Sequence, residues 1–395
     1  MRPFVGKTER DLASAVAGWA ASLREGIPAA EKAGEIPRDV IRELGRLGVL
    51  GMTVPEPLGG LGASTVAFAL VLEELAAAWP SLAVGVAVNT GIVDGTLVRY
   101  GTAEQRRRWL PRLIDGSGLA AFALTEPSSG SDAASLRATA IREGNGWRLD
   151  GRKQFITNAR YAPLAIVFAR VAEEPGGLQG AEAPGSAKPP STHAGITAFA
   201  VPLDAPGVAI GAAERKLGLK ASDTSALVLD GVRVSRDAVI GEVGKGFALA
   251  LAALDGGRIG IAAQSVGIAR AAIALARAYA KQRKQFGRPI ADFDGVRFPL
   301  ARSEGELAAA RLLALRAAWL KDHGRPFTRE AAMAKLYASE MAQRATHTAV
   351  QTLGGYGYLR EYAVERYARD GRATTIYEGT SEIQRLVIAR SLLAA

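Results

Sequence analysis

Apolar residues recur at helical spacing from Thr65 to Ala78, with Glu73 and Glu74 set on the opposite face, and the run stops at Trp79-Pro80. Thr102-Ala103-Glu104-Gln105 opens another helix, Thr102 being a natural N-cap with charge in the first turn. The chain up to about Gly118 therefore reads as helices. From Leu119 to Arg233 the period shortens. Trp147-Arg148-Leu149-Asp150-Gly151 alternates like a strand ending in a turn. Leu164 to Ala169, Thr197 to Val201 and Ser225 to Leu229 are short apolar runs, partly β-branched. Glu173 to Ala194, rich in Pro and Gly, reads as a long mobile loop between two of those strands. Beyond Gly241 the helical period returns in four runs: Ala248 to Gln282, Val296 to His323, Thr328 to Leu353 and Ser381 to Leu393. Thr328 is expected to cap the third, and Gly354-Gly355 to stop it.

The pattern predicts an α+β chain in three parts. These are an N-terminal α-helical domain (1–118), a central β-domain (119–233, with the loop at 173–194) and a C-terminal four-helix bundle (234–395). At 395 residues there is chain enough for such a core. Cysteine is absent, which excludes disulfides, thiolate metal sites and cysteine nucleophiles. His193, His323 and His347 are the only histidines and stand far apart in sequence, so no metal site is expected. The longest apolar stretch, Ile259 to Ala276, is broken by Gln264 and Arg270 and reads as a buried helix, not a membrane span. No apolar signal core follows Met1-Arg2-Pro3, so a cytoplasmic location is expected. The net charge of +10 is scattered, with small clusters at Arg106-Arg107-Arg108 and around Lys281–Arg288. Aromatics make up 6%, too few to suggest base-stacking platforms, and no nucleic-acid partner is expected.

The chemistry concentrates in short blocks. Tyr377-Glu378-Gly379-Thr380-Ser381-Glu382 places a carboxylate on a glycine turn, where the backbone can approach a ligand and desolvation can make a base of the acid. Upstream stand Phe122-Ala123-Leu124-Thr125-Glu126-Pro127-Ser128-Ser129-Gly130-Ser131-Asp132 and Lys153-Gln154-Phe155-Ile156-Thr157-Asn158. Leu254-Asp255-Gly256-Gly257-Arg258-Ile259-Gly260, Arg283-Lys284-Gln285-Phe286-Gly287 and Gln351-Thr352-Leu353-Gly354-Gly355-Tyr356-Gly357 follow. Neither a GxGxxG fingerprint nor a P-loop is present, so a nucleotide, if one is bound, is not held by either of those motifs. Asp255 and Arg258, three apart on one helix face, can reach one ligand together. Gly256 and Gly257 in mid-helix cost roughly 1 kcal/mol each relative to alanine, which suggests close packing against them.

In this order the blocks resemble the acyl-CoA dehydrogenase family of flavoenzymes, closest to the short-chain (butyryl-CoA type) branch, from Leu47-Gly48 to Arg390. The resemblance implies FAD as cofactor and the family's helix–sheet–helix fold. It places Phe122, Leu124 and Thr125 on the isoalloxazine ring and Phe155, Ile156 and Thr157 on its other face. Gly130 and Ser131 fall where FAD meets the pantetheine, with Ser131 also on the substrate, and Thr380 and Glu382 continue along the flavin. Arg283 and Gln285, with Gln351, Gly354 and Gly355, match segments that a neighbouring subunit lends to FAD, which implies a homotetramer built as a dimer of dimers. Asp255, Arg258 and Gly379 match acyl-CoA contacts. Glu126 and Asp132 are read as bracing their loop, with no chemical role.

The implied reaction is α,β-dehydrogenation of an acyl-CoA thioester to the trans-2-enoyl-CoA in fatty acid or branched-chain amino acid catabolism. Glu378 removes the α-proton, the β-hydride goes to flavin N5, and electrons pass to an electron-transfer flavoprotein. The positive charge is read as a solvated surface together with attraction for polyanionic CoA and FAD. Three departures from the family stand out: Asp294 where glutamine is usual, Lys220 for the usual arginine, and Thr192-His193 where lysine is common. The same fold also hosts flavin oxidases using O₂, nitroalkane oxidases, which carry aspartate where Glu378 stands, and dehydrogenases of carrier-protein-bound acyl groups. Gly257 falls where one branch of the family carries its base, so it and Glu378 are expected to face one α-carbon from two directions. Acyl length and branching are not written in these blocks.

Overall fold

The computed structural model describes residues 4–171 and 193–394. The 173–194 loop falls almost wholly outside them. The N-terminal part holds α1 (Lys7–Ser22), α2 (Ile27–Ala33), α3 (Arg38–Arg46), α4 (Thr65–Ala78), α5 (Pro80–Val86), α6 (Gly95–Tyr100) and α7 (Ala103–Ile114). A π-helical segment, Ala87–Asp94, joins α5 to α6. Thr102 caps α7 in a full capping box with Gln105, as its spacing predicts. The two-faced reading of α4 is corrected: every residue but Glu74 is buried. Glu73 lies inside, 3.1 Å from Arg270 and 2.7 Å from Arg311. Helices on several sides enclose α4, so its apolar stripe is only part of its buried surface.

The β-domain comprises β1 (Ala121–Ala123), β2 (Thr139–Glu143), β3 (Gly146–Thr157), β4 (Leu164–Val171), β5 (Ile196–Pro202), β6 (Val208–Ala213), β7 (Thr224–Ser235) and β8 (Val239–Ile240). They form one sheet in the order β6-β7-β3-β2-β4-β5-β8, with β1 parallel to β4. The turn expected at Gly151 is absent. β3 runs on to Thr157, and its register against β7 slips between Leu149 and Gly151 and again between Lys153 and Ile156. Such irregularities bend a strand locally and raise its twist.

The last part holds α8 (Gly246–Gln282), the hairpin β9 (Lys284–Gln285) and β10 (Arg288–Pro289), α9 (Asp294–Asp322), α10 (Thr328–Leu353), α11 (Val364–Ala373) and α12 (Ser381–Leu393). Thr328 does not cap α10; Phe327 stands at that position, and the Thr328 hydroxyl donates to Asp255 at 2.6 Å. Gly354 ends α10 at φ 61°, as expected of a glycine stop. Among the described residues Pro80–Tyr100 and α8 are long and apolar enough to cross a membrane. Their apolar windows are 83% and 78% buried in the fold, which marks them as core.

Candidate active site

The turn between α11 and α12 is held in an uncommon conformation. Glu378 has φ 52° and Gly379 φ 90°. The positive φ favours glycine at 379, and a side chain there would also meet Gln384 Nε2 at 2.6 Å and push aside the amide that holds the turn. Side-chain hydrogen bonds fix the turn. Gln384 Nε2 donates to the carbonyls of Gly379 (2.8 Å) and Glu378 (3.3 Å), and Lys335 Nζ donates to the Gly379 carbonyl at 2.7 Å. The Tyr377 hydroxyl donates to Gln264 Oε1 on α8 at 2.6 Å. Thr380 Oγ1 accepts from the Ile383 amide and caps α12.

Neither carboxylate oxygen of Glu378 has a hydrogen-bond partner, and both are shielded from solvent although the residue as a whole is half-buried. Burial pushes this acid up to about 7, against the pull of the Lys335 and Arg258 cations. Its backbone amide finds no acceptor among the described residues and remains free to donate. Gly257 of α8 lies directly against this carboxylate. A Cβ built there runs into Glu378 Oε2 and comes within 3.0 Å of Ile92 Cδ1. The two positions do face one another, and Ile92 of the π-helical segment forms a third wall.

The next residue of α8, Arg258, is ion-paired with Asp255, and its Nε is left without a partner. Asp255 is tied in turn to Thr328. The pair is preassembled within the chain.

The two β-domain blocks are latched together. The Gln154 amide donates to the Thr125 carbonyl at 2.9 Å. Glu126 accepts from the amides of Arg137 (2.6 Å) and Ala138 (2.9 Å) and from Lys153 Nζ (2.7 Å), which also donates to the Leu124 carbonyl. Glu126 therefore braces the loop, as expected. Burial draws the Lys153 ammonium down to about 8, with Glu126 opposing. For Glu126 the push of burial is outweighed by Lys153 and the two amides, and it stays below the usual carboxylate range.

Phe155 has φ 58° and is 62% exposed. A bulky residue in the left-handed region costs about 1–3 kcal/mol, a strain typical of ligand-contacting positions. Thr125 and Thr157 are half-buried, whereas Leu124 and Ile156 are buried in the apolar core. Those two can offer a ligand their backbone only. Asn158, also at positive φ, is anchored through its side chain to the carbonyls of Gly85 and Ala120. Its amide donates to the carbonyl of Asp223, on the 219–223 loop, and Asp370 of α11 accepts from the Leu219 amide at 2.6 Å. A chain of bonds thus links the Phe155 turn to the helix that precedes Glu378.

The remaining predicted residues lie elsewhere. Gly130 and Ser131 are exposed. Glu382 is exposed on the first turn of α12, beside Arg385. From Gly257 to Gln282 the α8 axis runs roughly 37 Å at 1.5 Å per residue, so Arg283 stands at the far end from Glu378. The Arg283 guanidinium is 5.9 Å from the Tyr356 ring, which brings the Gln351, Gly354 and Gly355 segment to the same end. Gln285, Gln351, Gly354 and Gly355 are exposed there, and Phe286 is 94% exposed. Asp294 opens α9 and is paired with Arg297. A surface groove of about 710 Å³ between α9 and α10 contains none of these residues. Its carboxylate, Glu306, is neutralised between Arg302 and Arg344.

Sequence reasoning missed Lys335, Gln384, Gln264 and Asp370. One signal was available for Lys335. It falls at helical spacing among Ala331, Ala338 and Ala342, on the face that α10 buries.

Residues 7–117, 121–232 and 244–393 match family models described as the N-terminal, middle and C-terminal domains of acyl-CoA dehydrogenase. The chain is 43% identical over 364 residues to the mitochondrial short-chain specific acyl-CoA dehydrogenase of Bos taurus, covering 92% of this chain and 84% of that protein. It is 40% identical to the CarC subunit of the caffeyl-CoA reductase–Etf complex of Acetobacterium woodii, covering 92% of each. The solved butyryl-CoA dehydrogenase of Megasphaera elsdenii is 37% identical, with a TM-score of 0.92, covering 98% of this chain and 99% of that one.

Proposed function

The chain belongs to the acyl-CoA dehydrogenase family of FAD-dependent oxidoreductases, and from that premise we propose that it oxidises an acyl-CoA thioester to the trans-2-enoyl-CoA with Glu378 as base. One observation carries the reading. Glu378 is a buried carboxylate with both oxygens unpartnered, opposite a residue with no side chain. A structural carboxylate in such a place would be hydrogen-bonded, as Glu126 is.

The residues present fit the flavin. The strained, exposed ring of Phe155 stands at the end of a strand whose neighbour, the Thr125 segment, is latched to it. Phe122, Thr125, Phe155 and Thr157, with the Leu124 and Ile156 backbone, would hold the ring, and Gly130 and Ser131 the part nearest the pantetheine. Thr380 and Glu382 would continue along it. Arg283, Gln285, Gln351, Gly354 and Gly355, too far along their helices to serve their own cleft, would reach the FAD of a neighbouring subunit. That assignment implies the homotetramer. Bound FAD supplies the acceptor of the β-hydride.

The protein's own part is to bind, orient and move one proton. Asp255 and Arg258 would meet the CoA portion. Gly257 leaves room for the α-carbon beside Glu378 Oε2. The thioester oxygen, which gains charge as the α-proton leaves, would take the free Glu378 amide as donor. The α-proton goes to the Glu378 carboxylate, which must be ionised first. With its acid held near 7, turnover should rise with pH through about 7. An electron-transfer flavoprotein is proposed as electron acceptor, the CarC relative being named for its Etf complex. The test is Glu378→Gln, which keeps shape and loses the base. We expect a yellow, folded protein whose flavin is not bleached by acyl-CoA under anaerobic conditions. Bleaching at the parent rate would refute the assignment.

A further inference from the structure

We propose that Lys335 is a positioning residue for this dehydrogenation: its buried ammonium pins the backbone turn that carries Glu378 and supplies the positive charge that keeps its carboxylate ready. The inference rests on Glu378 being the base.

Among the described residues two lysines have no solvent exposure at all, Lys153 and Lys335. Lys153 is neutralised by a carboxylate at 2.7 Å. Lys335 donates instead to an uncharged partner, the carbonyl of Gly379, the residue immediately after the base. Burying an ammonium without a paired anion is unfavourable, and such groups persist where the charge is used.

The charges around it can be followed element by element. On its own helix Glu340 is 2.5 Å from Arg385, and on α12 Glu382 is 3.4 Å from the same arginine. From α8 comes Arg258, which is paired with Asp255. From the turn comes Glu378, whose oxygens have no partner. Lys335 and Glu378 are thus the two charges left unmatched, and each is the other's leading electrostatic partner. Because its donor bond fixes the Gly379 carbonyl, the charge is held at a constant place relative to the acid. Burial raises the acid; Lys335 stops it from rising so far that it is protonated throughout the neutral range. Burial draws the Lys335 ammonium down to about 8, still above the acid's value of about 7, so Lys335 is mostly charged at the midpoint of the Glu378 titration.

The experiment uses the FAD-loaded full-length enzyme. Anaerobic bleaching by butyryl-CoA is followed by stopped flow from pH 6 to 9.5 in parent, Lys335→Met and Glu378→Gln. An opposite charge nearby moves a carboxylate by roughly 1–3 units. In Lys335→Met the midpoint of the acid limb should therefore move up by about one unit or more, and the rate at pH 7 should fall about five-fold or more with recovery toward pH 9. Where Lys335→Met retains too little flavin, the same profile is read on Lys335→Gln, which keeps a donor and loses the charge. A rate lowered equally at every pH, with an unmoved midpoint, would reduce Lys335 to a packing role and overturn the proposal. The control separates the two readings. If Glu378→Gln is inert and the midpoint stays put, only the Lys335 proposal falls. If Glu378→Gln bleaches at the parent rate, the base assignment falls, and the Lys335 proposal with it.

Discussion

Adding one methyl group at Gly257 sets two effects against each other. Alanine is favoured over glycine in a helix interior by roughly 1 kcal/mol, and Gly257 lies inside α8. The added Cβ overlaps Glu378 Oε2 and sits 3.0 Å from Ile92 Cδ1. Both are ends of flexible side chains, so the protein can yield at little cost. Ile92 retreats by a few tenths of an ångström, and the carboxylate must swing by about 1 Å. The helix gain and the repacking cost are of similar size, and Gly257→Ala should unfold at close to the parent temperature. Catalysis is less forgiving. A reacting group misplaced by about 1 Å costs on the order of 10²-fold in rate. That is about 2.7 kcal/mol on the barrier, at 1.36 kcal/mol per decade. The assay is anaerobic flavin bleaching by an acyl-CoA panel from C4 to C16, alongside flavin content and thermal unfolding. A stable, yellow variant losing about two decades of bleaching rate is the expected result. Parent-like rates would show that the carboxylate does not need the space over Gly257. A gain-of-function arm follows from the same geometry: Glu378→Gly with Gly257→Glu should recover part of what Glu378→Gly loses, the new base approaching the same carbon from α8.

Two further outcomes are expected. Asp370 is buried and pushed up to about 7, so its stabilising contribution is complete below about 4 and lost as pH rises through about 7. Asp370→Asn keeps an acceptor for the Leu219 amide and removes the titration. At pH 8 it should unfold at an equal or higher temperature than the parent, by at most about 4 kcal/mol, the difference vanishing below about pH 4; lower stability at pH 8 would contradict this. Arg283→Ala should elute with less FAD and as a smaller species, read by absorbance and light scattering. A flavin-loaded tetramer would show that Arg283 does not reach a neighbour's cofactor.

The architecture was legible because each part has its own period. α10 and α12 were bounded correctly from the sequence, and Thr102 declared the start of α7. β1, β2, β6 and β8 escaped because two to six residues carry too little alternation to register. The β3 turn was misjudged because Gly151 can end a strand or bend one, and only pairing with β7 decides. Thr328 was misread as a cap because its hydroxyl has a rival partner, Asp255, 73 residues away in sequence. The motif blocks announced which residues carry chemistry, since glycines and a carboxylate in that order narrow what a turn can do. What makes Glu378 usable was decided by tertiary structure: a Gly257 with no side chain against which the carboxylate lies, an amide without an acceptor, and Lys335 brought from 43 residues away. Electrostatics and burial depend on distances in space, and the chain's order fixes those only after α8, α10 and the turn have packed together.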